Sequence, residues 1–424
     1  MKRLDQVQSR TDTASGESEA VSFHEVWQFV LKVGEAAKRY GSSTPRLQAY
    51  LEAVARYFGY EGVFIVTPRE IVFALREAPG RMQKIELMKV PSSGVDLNKL
   101  ARLGDLLNEV KAGKVSLHEA SDRMEEIDRI PVPWAVGWNL VAYCLIGLGL
   151  PPILGAGWPD AWVAMVLSAV VYGIVLLSGQ IGDRAVYWMP LTTAFVAAVL
   201  ATLAKIWVPG LNPVLVILSA VAVLLPGYTI SLGVIELAAQ YVVSGAATLI
   251  SGLVYIAMQV AGGWLGIMVI SHLIAVPTAA AAAPVSEMWL WGVVALVNLG
   301  LCIVFQTSYR DFLWAFVLCM LAYLGIYAGS VLVGGNFGNL IGTIIAAAFS
   351  NLWSRWTNRP TSIVLIPAIV LLVSGSIGFR GLASLAEGQL VLGSQEFFQM
   401  FVVALTIAAG LLIGNTLFRP KIAL

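Results

Sequence analysis

The chain has 424 residues, of which 58% are hydrophobic and 12% charged, and its formal net charge is +1. A soluble chain carries about 25% charged residues, so a wholly soluble protein is excluded. So small a net charge also gives no basis for binding nucleic acid. Residues 1–133 hold 19 basic and 19 acidic side chains, which leaves 8 basic and 7 acidic ones for the other 291. That remainder must meet lipid, and the boundary falls near Ile130.

Residues 1–20 are polar, lack the apolar stretch of a signal peptide, and read as a disordered tail. Phe23–Tyr40 and Thr44–Phe58 have helical periodicity, with Val26, Phe29, Val30, Val33 and Ala37 on one stripe. Thr44 is placed to cap the second helix and Pro45 to occupy its first position. Gly62–Val66, Ile71–Leu75 and Lys84–Val90 are rich in β-branched residues, with turn signals at Thr67-Pro68 and Ala78-Pro79-Gly80. Helices are expected again at Asp96–Val110 and Ser116–Asp128, the latter opened by a Ser116/Glu119 capping box. This order gives a small α+β domain over residues 21–130, expected in the cytosol in a regulatory or assembly role.

Little in this domain suggests catalysis. Its histidines, His24 and His118, sit on polar helix faces, and His272 lies in an apolar segment. Ser92-Ser93-Gly94 reads as a strand-to-helix turn. Cys144, Cys302 and Cys319 fall in apolar runs without metal-ligand spacing. No hydrolase or phosphate-loop motif is present. Neither a metal nor a cofactor is expected.

Ten apolar stretches follow, at 134–155, 160–178, 187–206, 212–233, 240–271, 288–306, 311–329, 334–353, 361–378 and 396–418. Most approach the ~20 residues that span a bilayer. The fifth would extend about 48 Å as a helix and must tilt, break or protrude. With the soluble domain inside, inner loops hold Arg184, Arg310, Arg355, Arg359, Arg419 and Lys421, and outer loops hold Lys205 and Arg380. That bias places both termini in the cytoplasm and the protein in the plasma (inner) membrane.

An internal repeat organises these stretches. A shift of 148 positions superposes Val216 on Val364, Gly227 on Gly375, Leu237 on Leu385, Gly245 on Gly393, and Gly262/Gly266 on Gly410/Gly414. Each half, 131–280 and 281–424, then has five helices, and an odd number inverts the second copy relative to the first. The fold expected is an all-α polytopic membrane domain of about ten transmembrane helices in two inverted five-helix repeats, behind the α+β domain. Small residues four apart, as in Gly325/Gly329, Gly338/Gly342 and Ser244/Thr248/Gly252, let helices approach closely.

In such folds ligands bind where paired helices break near the midplane. The matched breaks are Pro226-Gly227-Tyr228 and Ser374-Gly375-Ser376, where proline removes an amide hydrogen and glycine permits unusual dihedrals. Glu236 and Arg380 follow them, and an intramembrane charge is a functional candidate; the plain alternative is that both snorkel at the interface.

At these residues the sequence resembles the threonine/serine exporters (ThrE family). In the soluble part the likeness rests on Arg46 and Val63-Phe64-Ile65-Val66-Thr67-Pro68. In the membrane part it rests on Leu224-Leu225-Pro226-Gly227, Glu236-Leu237, Phe379-Arg380-Gly381 and Gly410-x-x-x-Gly414-Asn415. The resemblance implies proton-driven export of small amino acids; some relatives of this fold are associated with small dicarboxylates. Departures from the family pattern are Glu236 for a usual Asp, Ser374-Gly375 for Pro-Gly, and no arginine on the fifth helix.

The expected site uses Arg380 and free amides at the second break for a carboxylate. Glu236 and carbonyls near Pro226 take an ammonium, and Ser231, Ser374 and Ser376 a side-chain hydroxyl. Glu236 is the expected proton carrier. Two other readings are a passive channel lined by Asn336 and Asn339, and a membrane-tethered hydrolase. Partners are a small molecule and lipid, with a homo-oligomer open.

Overall fold

The computed structural model describes residues 22–76, 83–90, 94–277, 280–334, 337–372 and 375–419. The expected N-terminal tail, the Ala78-Pro79-Gly80 turn, Ser92, Ser93, Asn336, Ser374 and Lys421 fall outside these residues.

Four helices and one sheet form an N-terminal unit. Helix α1 (Phe23–Arg39) opens with a full capping box between Ser22 and Glu25 and buries the stripe Val26, Val30, Val33 and Ala37. In α2 (Thr44–Tyr57) the N-cap position falls on Ser43, so Thr44 is the first helical residue and its hydroxyl is spent elsewhere. Strands β1 (Glu61–Val66), β2 (Glu70–Arg76) and β3 (Lys84–Lys89) form an antiparallel sheet in the order β1-β2-β3. Phe64 opposes Phe73 across the first pair, with ring centroids 6.0 Å apart, and both rings are buried against the helices. Helices α3 (Leu97–Lys111) and α4 (Leu117–Arg129) close the unit, capped by Asp96 and Ser116. Glu119 turns to Arg123 rather than back to the cap.

The remaining helices are apolar. They are α5 (Val136–Ile153), α6 (Trp158–Ile181), α7 (Asp183–Trp207), α8 (Pro213–Ala220), α9 (Gly227–Ala238), α10 (Val242–Leu273), α11 (Glu287–Val304), α12 (Tyr309–Leu332), α13 (Phe337–Thr357), α14 (Ser362–Leu372), α15 (Gly375–Ala386) and α16 (Leu390–Leu417). Among the described residues eight segments are long and apolar enough to cross a membrane, and nine if the bent α8–α9 pair is one span. Helix α13 is not among them. Its Thr343, Ser350, Asn351 and Ser354 are fully buried in the bundle, which lowers its apolarity without exposing polar groups to lipid.

Two boundaries differ from the sequence reading. Helix α9 continues to Ala238, which brings Glu236 inside a helix, and α15 continues to Ala386, so Arg380 is helical rather than in a loop. Helix α10 is unbroken over 32 residues.

Glycines set the contacts between helices. A Cβ on Gly325 would lie 2.8 Å from Gly342 Cα, and one on Gly329 would lie 2.9 Å from Gly338 Cα, so α12 and α13 touch backbone to backbone. Contacts recur along the chain. Gly262 and Gly266 of α10 face the carbonyls of Leu191 and Phe195 in α7, and Gly410 and Gly414 of α16 face those of Leu340 and Ile344 in α13. A Cβ on Gly245 would lie 2.7 Å from the Leu237 nitrogen, and one on Gly393 would lie 2.7 Å from the Leu385 nitrogen.

The N-terminal unit is joined to the membrane helices through polar contacts. The first amides of α3, Leu97 and Asn98, donate to the carbonyls of Phe305 and Gln306 just past α11, each at 3.0 Å. One helix's free donors thereby satisfy acceptors at another's end. Arg359, 7% exposed, donates to both carboxylate oxygens of Asp311 (2.7 and 2.6 Å) and to Asp105 of α3 (2.6 Å).

Candidate substrate site

The first break has a local cause. Helix α8 ends after eight residues, Ala222–Leu224 form a 3-10 turn, and Leu225 is extended before Pro226. Because Pro226 has no N–H, the Ala222 carbonyl accepts from Leu225 instead, at 3.1 Å. Helix α9 then starts at Gly227, and the two parts are bent by 60°. The Leu224 carbonyl takes a long hydrogen bond, 3.4 Å, from the side-chain amide of Gln259 in α10.

Gly227 meets Gly375 directly. A Cβ on Gly375, the first residue of α15, would lie 3.0 Å from Gly227 Cα. The start of α9, with its unpaired amides and positive dipole end, therefore touches the backbone at Gly375, where a Cβ would be crowded. Beside the crossing lies a cavity of about 380 Å³ lined by Leu225, Pro226, Tyr228, Thr229, Tyr255 and Phe305, among others. Ser251 and Tyr255 also line a cleft of about 990 Å³ bounded by Arg69, Glu70 and Lys89 of the N-terminal unit. The shared residues make the two spaces neighbours.

From the crossing α9 descends to the N-terminal unit, where Glu236 is 1% exposed. Its carboxylate accepts from Ser244 Oγ at 2.8 Å and Thr248 Oγ1 at 3.2 Å, both on α10. Ser244 Oγ is in turn 3.0 Å from Thr44 Oγ1 of α2, which explains why Thr44 is not a cap. Two cations of the N-terminal unit lie here as well. Arg46 donates to Ser362 Oγ at 2.6 Å and lies within electrostatic reach of Tyr228, and Lys38 feels the charge of Glu236. Burial lowers the basicity of both; Glu236 offsets part of that for Lys38, and Tyr228 part of it for Arg46.

The surroundings of α14 and α15 are furnished differently. Helix α14 starts beside the N-terminal unit at Ser362, so α15 leads away from it, opposite to α9. Arg380 pairs with Glu396 of α16 at 3.5 Å, its side chain 34% exposed. Nine helical steps lead from Gly227 to Glu236 and five from Gly375 to Arg380. At 1.5 Å per residue in opposite directions the two charges stand about 20 Å apart. One amino acid cannot touch both, so the expected division of its two ends between Glu236 and Arg380 does not hold. The structure brings together Pro226, Gly227, Tyr228 and Gly375 at the crossing, with Ser376 part-buried one residue on. Ser231 is fully buried with its hydroxyl unpartnered among the described residues, but it is about 140° around α9 from Glu236.

Sequence reasoning gave Lys38 no role, read Arg46 only as part of a resemblance, and overlooked Gln259 and Tyr255. Ser244 and Thr248 were visible as a four-residue spacing, read as packing; the same spacing aims two hydroxyls at one carboxylate. The residues considered for other activities are placed differently. His118 pairs with Asp122 at 3.3 Å on an exposed face. Asn339 follows Gly338, whose backbone is pressed against α12.

Apolar helices of this number and length, one of them broken at a buried polar centre, define a multi-span membrane protein. Family models match nearly its whole length: "Putative threonine/serine exporter" over residues 28–270 and "Threonine/Serine exporter, ThrE" over 291–417. The chain belongs to the threonine/serine exporter family. A probable threonine/serine exporter of Mycobacterium tuberculosis is 22% identical over 98% of this chain and 80% of its own length. An uncharacterized protein of Schizosaccharomyces pombe is 23% identical over 84% of this chain, and pheromone-regulated membrane protein 10 of Yarrowia lipolytica is 23% identical over 87%. This chain spans only 44% and 31% of those two fungal relatives. No solved structure matches it.

Proposed function

We propose that the protein is a secondary active transporter that exports small amino acids of the threonine/serine class from the cytoplasm, coupled to protons through Glu236. The observation that carries this reading is the broken α8–α9 helix, whose second part starts against Gly375 beside a cavity, with a buried carboxylate one helix-length below. Broken helices contributing free amides and carbonyls are what a carrier needs to hold a zwitterion away from water. The recurring glycine contacts, and the opposite directions of α9 and α15, support two inverted five-helix repeats that rock about the crossing. The basic residues Arg310, Arg355 and Arg359 lie on the side of the N-terminal unit, which supports a cytoplasmic location for that unit and for both termini, in the plasma membrane.

The test is flux in proteoliposomes with an imposed pH gradient. L-Threonine or L-serine efflux is expected to accelerate when protons flow the opposite way. Amino-acid flux indifferent to the gradient refutes the coupling, and no flux of any small amino acid refutes the assignment.

A further inference from the structure

The exporter reading leaves open how cargo reaches the cavity at the broken helix, and the length of α10 bears on it. Gly262 and Gly266 of α10 face Leu191 and Phe195 of α7, so the two helices run in parallel. Carried back at that register, the start of α7 falls beside Val254. Residues 242–253 of α10, about 18 Å at 1.5 Å per residue, therefore run on toward the N-terminal unit without α7 beside them. The cleft of about 990 Å³ occupies that gap. Arg69, Glu70 and Lys89 at the ends of β2 and β3 bound it on one side, and Tyr187, Ser251 and Tyr255 on the other.

The cleft leads inward along α10. Ser251 and Tyr255, one turn apart, line both this cleft and the cavity of about 380 Å³ beside Pro226 and Thr229. On their other flank the way is shut: a Cβ on Gly252 would lie 2.8 Å from Ile230 Cγ1, so α9 and α10 are tightly packed there. The walls change character along the path. At the mouth Glu70 opposes Lys89 across the β2–β3 ladder, with Arg69 next to it. Among the described residues no charged side chain lines the inner cavity, which sets the hydroxyls of Thr229, Ser251 and Tyr255 among apolar groups. Charges of both signs at a mouth suit a zwitterion, and an apolar chamber with few polar groups suits a small side chain. Ser251 is exposed in the cleft, where hydrocarbon would penalise its hydroxyl and water would not.

We propose that this cleft is the cytoplasmic vestibule of the transport path, through which a small zwitterionic amino acid passes Ser251 and Tyr255 into the cavity. The proposal rests on the exporter reading and on its placing of the N-terminal unit in the cytoplasm. It gives that unit a task, since the ends of β2 and β3 form one wall of the entrance.

The experiment uses the purified full chain in proteoliposomes, with L-threonine as cargo and a membrane-impermeant cationic methanethiosulfonate as the probe of Ser251→Cys. Cys302 and Cys319 are buried and Cys144 is half-buried, and the native chain treated alongside sets their background. Reagent on the face bearing the N-terminal unit is expected to label Ser251→Cys and to abolish most of the L-threonine flux that the untreated variant shows. L-Threonine is expected to slow the labelling. Arg69→Glu with Lys89→Glu turns the mouth wholly acidic and is expected to speed labelling by the cationic reagent about tenfold, with a neutral thiol reagent unaffected; an unchanged rate overturns the part given to the strand ends. Where Ser251→Cys does not fold, Val254→Cys on the same wall of the cleft is read in the same way. Labelling that leaves flux intact makes the cleft a surface groove and overturns the proposal. No labelling, or labelling only by a membrane-permeant maleimide, makes it a closed or lipid-filled space and also overturns it. Those outcomes leave the exporter reading intact. A native chain that moves no small amino acid fails that reading before any cysteine is introduced, and the proposal falls with it.

Discussion

The two halves of the membrane part share their joints and differ in their chemistry. Gly245 packs on Leu237 as Gly393 packs on Leu385, and Gly233 meets Leu249 as Gly381 meets Phe397. On that common frame the first half carries Pro226, Ser231, Glu236, Ser244 and Gln259, where the 148-residue shift gives Ser374, Phe379, Ser384, Leu392 and Ile407. The second half answers with one polar pair of its own, Arg380 and Glu396, aligned with Leu232 and Thr248. Backbone contacts constrain both copies because a Cβ has no room there; side chains lining a cavity do not. The glycine contacts thus recur in both halves, whereas the buried carboxylate and its two hydroxyl donors lie in the first half alone, beside the N-terminal unit.

That contrast can be broken by removing charge from each half in turn. The largest effect is expected at Glu236. Glu236→Gln replaces an ionisable acceptor with a neutral amide; losing a charged contact of about 3 kcal/mol corresponds to a flux about a hundredfold lower, measured in pH-loaded proteoliposomes, while an unchanged rate removes Glu236 from transport. Next is Arg359, which lies away from the centre of the second half and ties that half to the N-terminal unit. Arg359→Ala strands Asp311, whose side chain is 3% exposed, and is expected to cost about 3 kcal/mol of stability, read as a lower unfolding temperature in detergent. The smallest effect is expected at Arg380. Its partner is distant and its side chain a third exposed, so Arg380→Leu should change stability by less than about 1 kcal/mol and leave flux within about twofold. A large loss of flux there would restore Arg380 to the site and undo the asymmetry.

Much of the frame was legible in the sequence because it follows from short-range rules. The 3.6-residue stripe of α1, the β-branched runs of β1 and β2, the proline at 226 and the paired glycines each predict a local geometry without reference to the rest of the chain. What was not legible depended on helix ends and on neighbours. Arg380 reads as a loop residue because an arginine after an apolar run resembles a boundary; in the structure it pairs with Glu396 within a helix that runs on to Ala386. Thr44 reads as a cap, and only the position of Ser244, two hundred residues on, shows its hydroxyl to be committed elsewhere. Lys38 looks like an ordinary exposed-face lysine of an amphipathic helix. Its neighbourhood is set by which face of the N-terminal unit docks, and no periodicity encodes that.

The ion triad of Arg359 and the bond from Arg46 to Ser362 bracket Pro360 and Thr361, the two residues before α14. Any tilt of α14 is therefore passed to α2 and α3 with little slack, much as a pointer follows its spindle. A fluorescent label on the exposed strand β3 is expected to report such a tilt, which would turn a silent step into an optical signal.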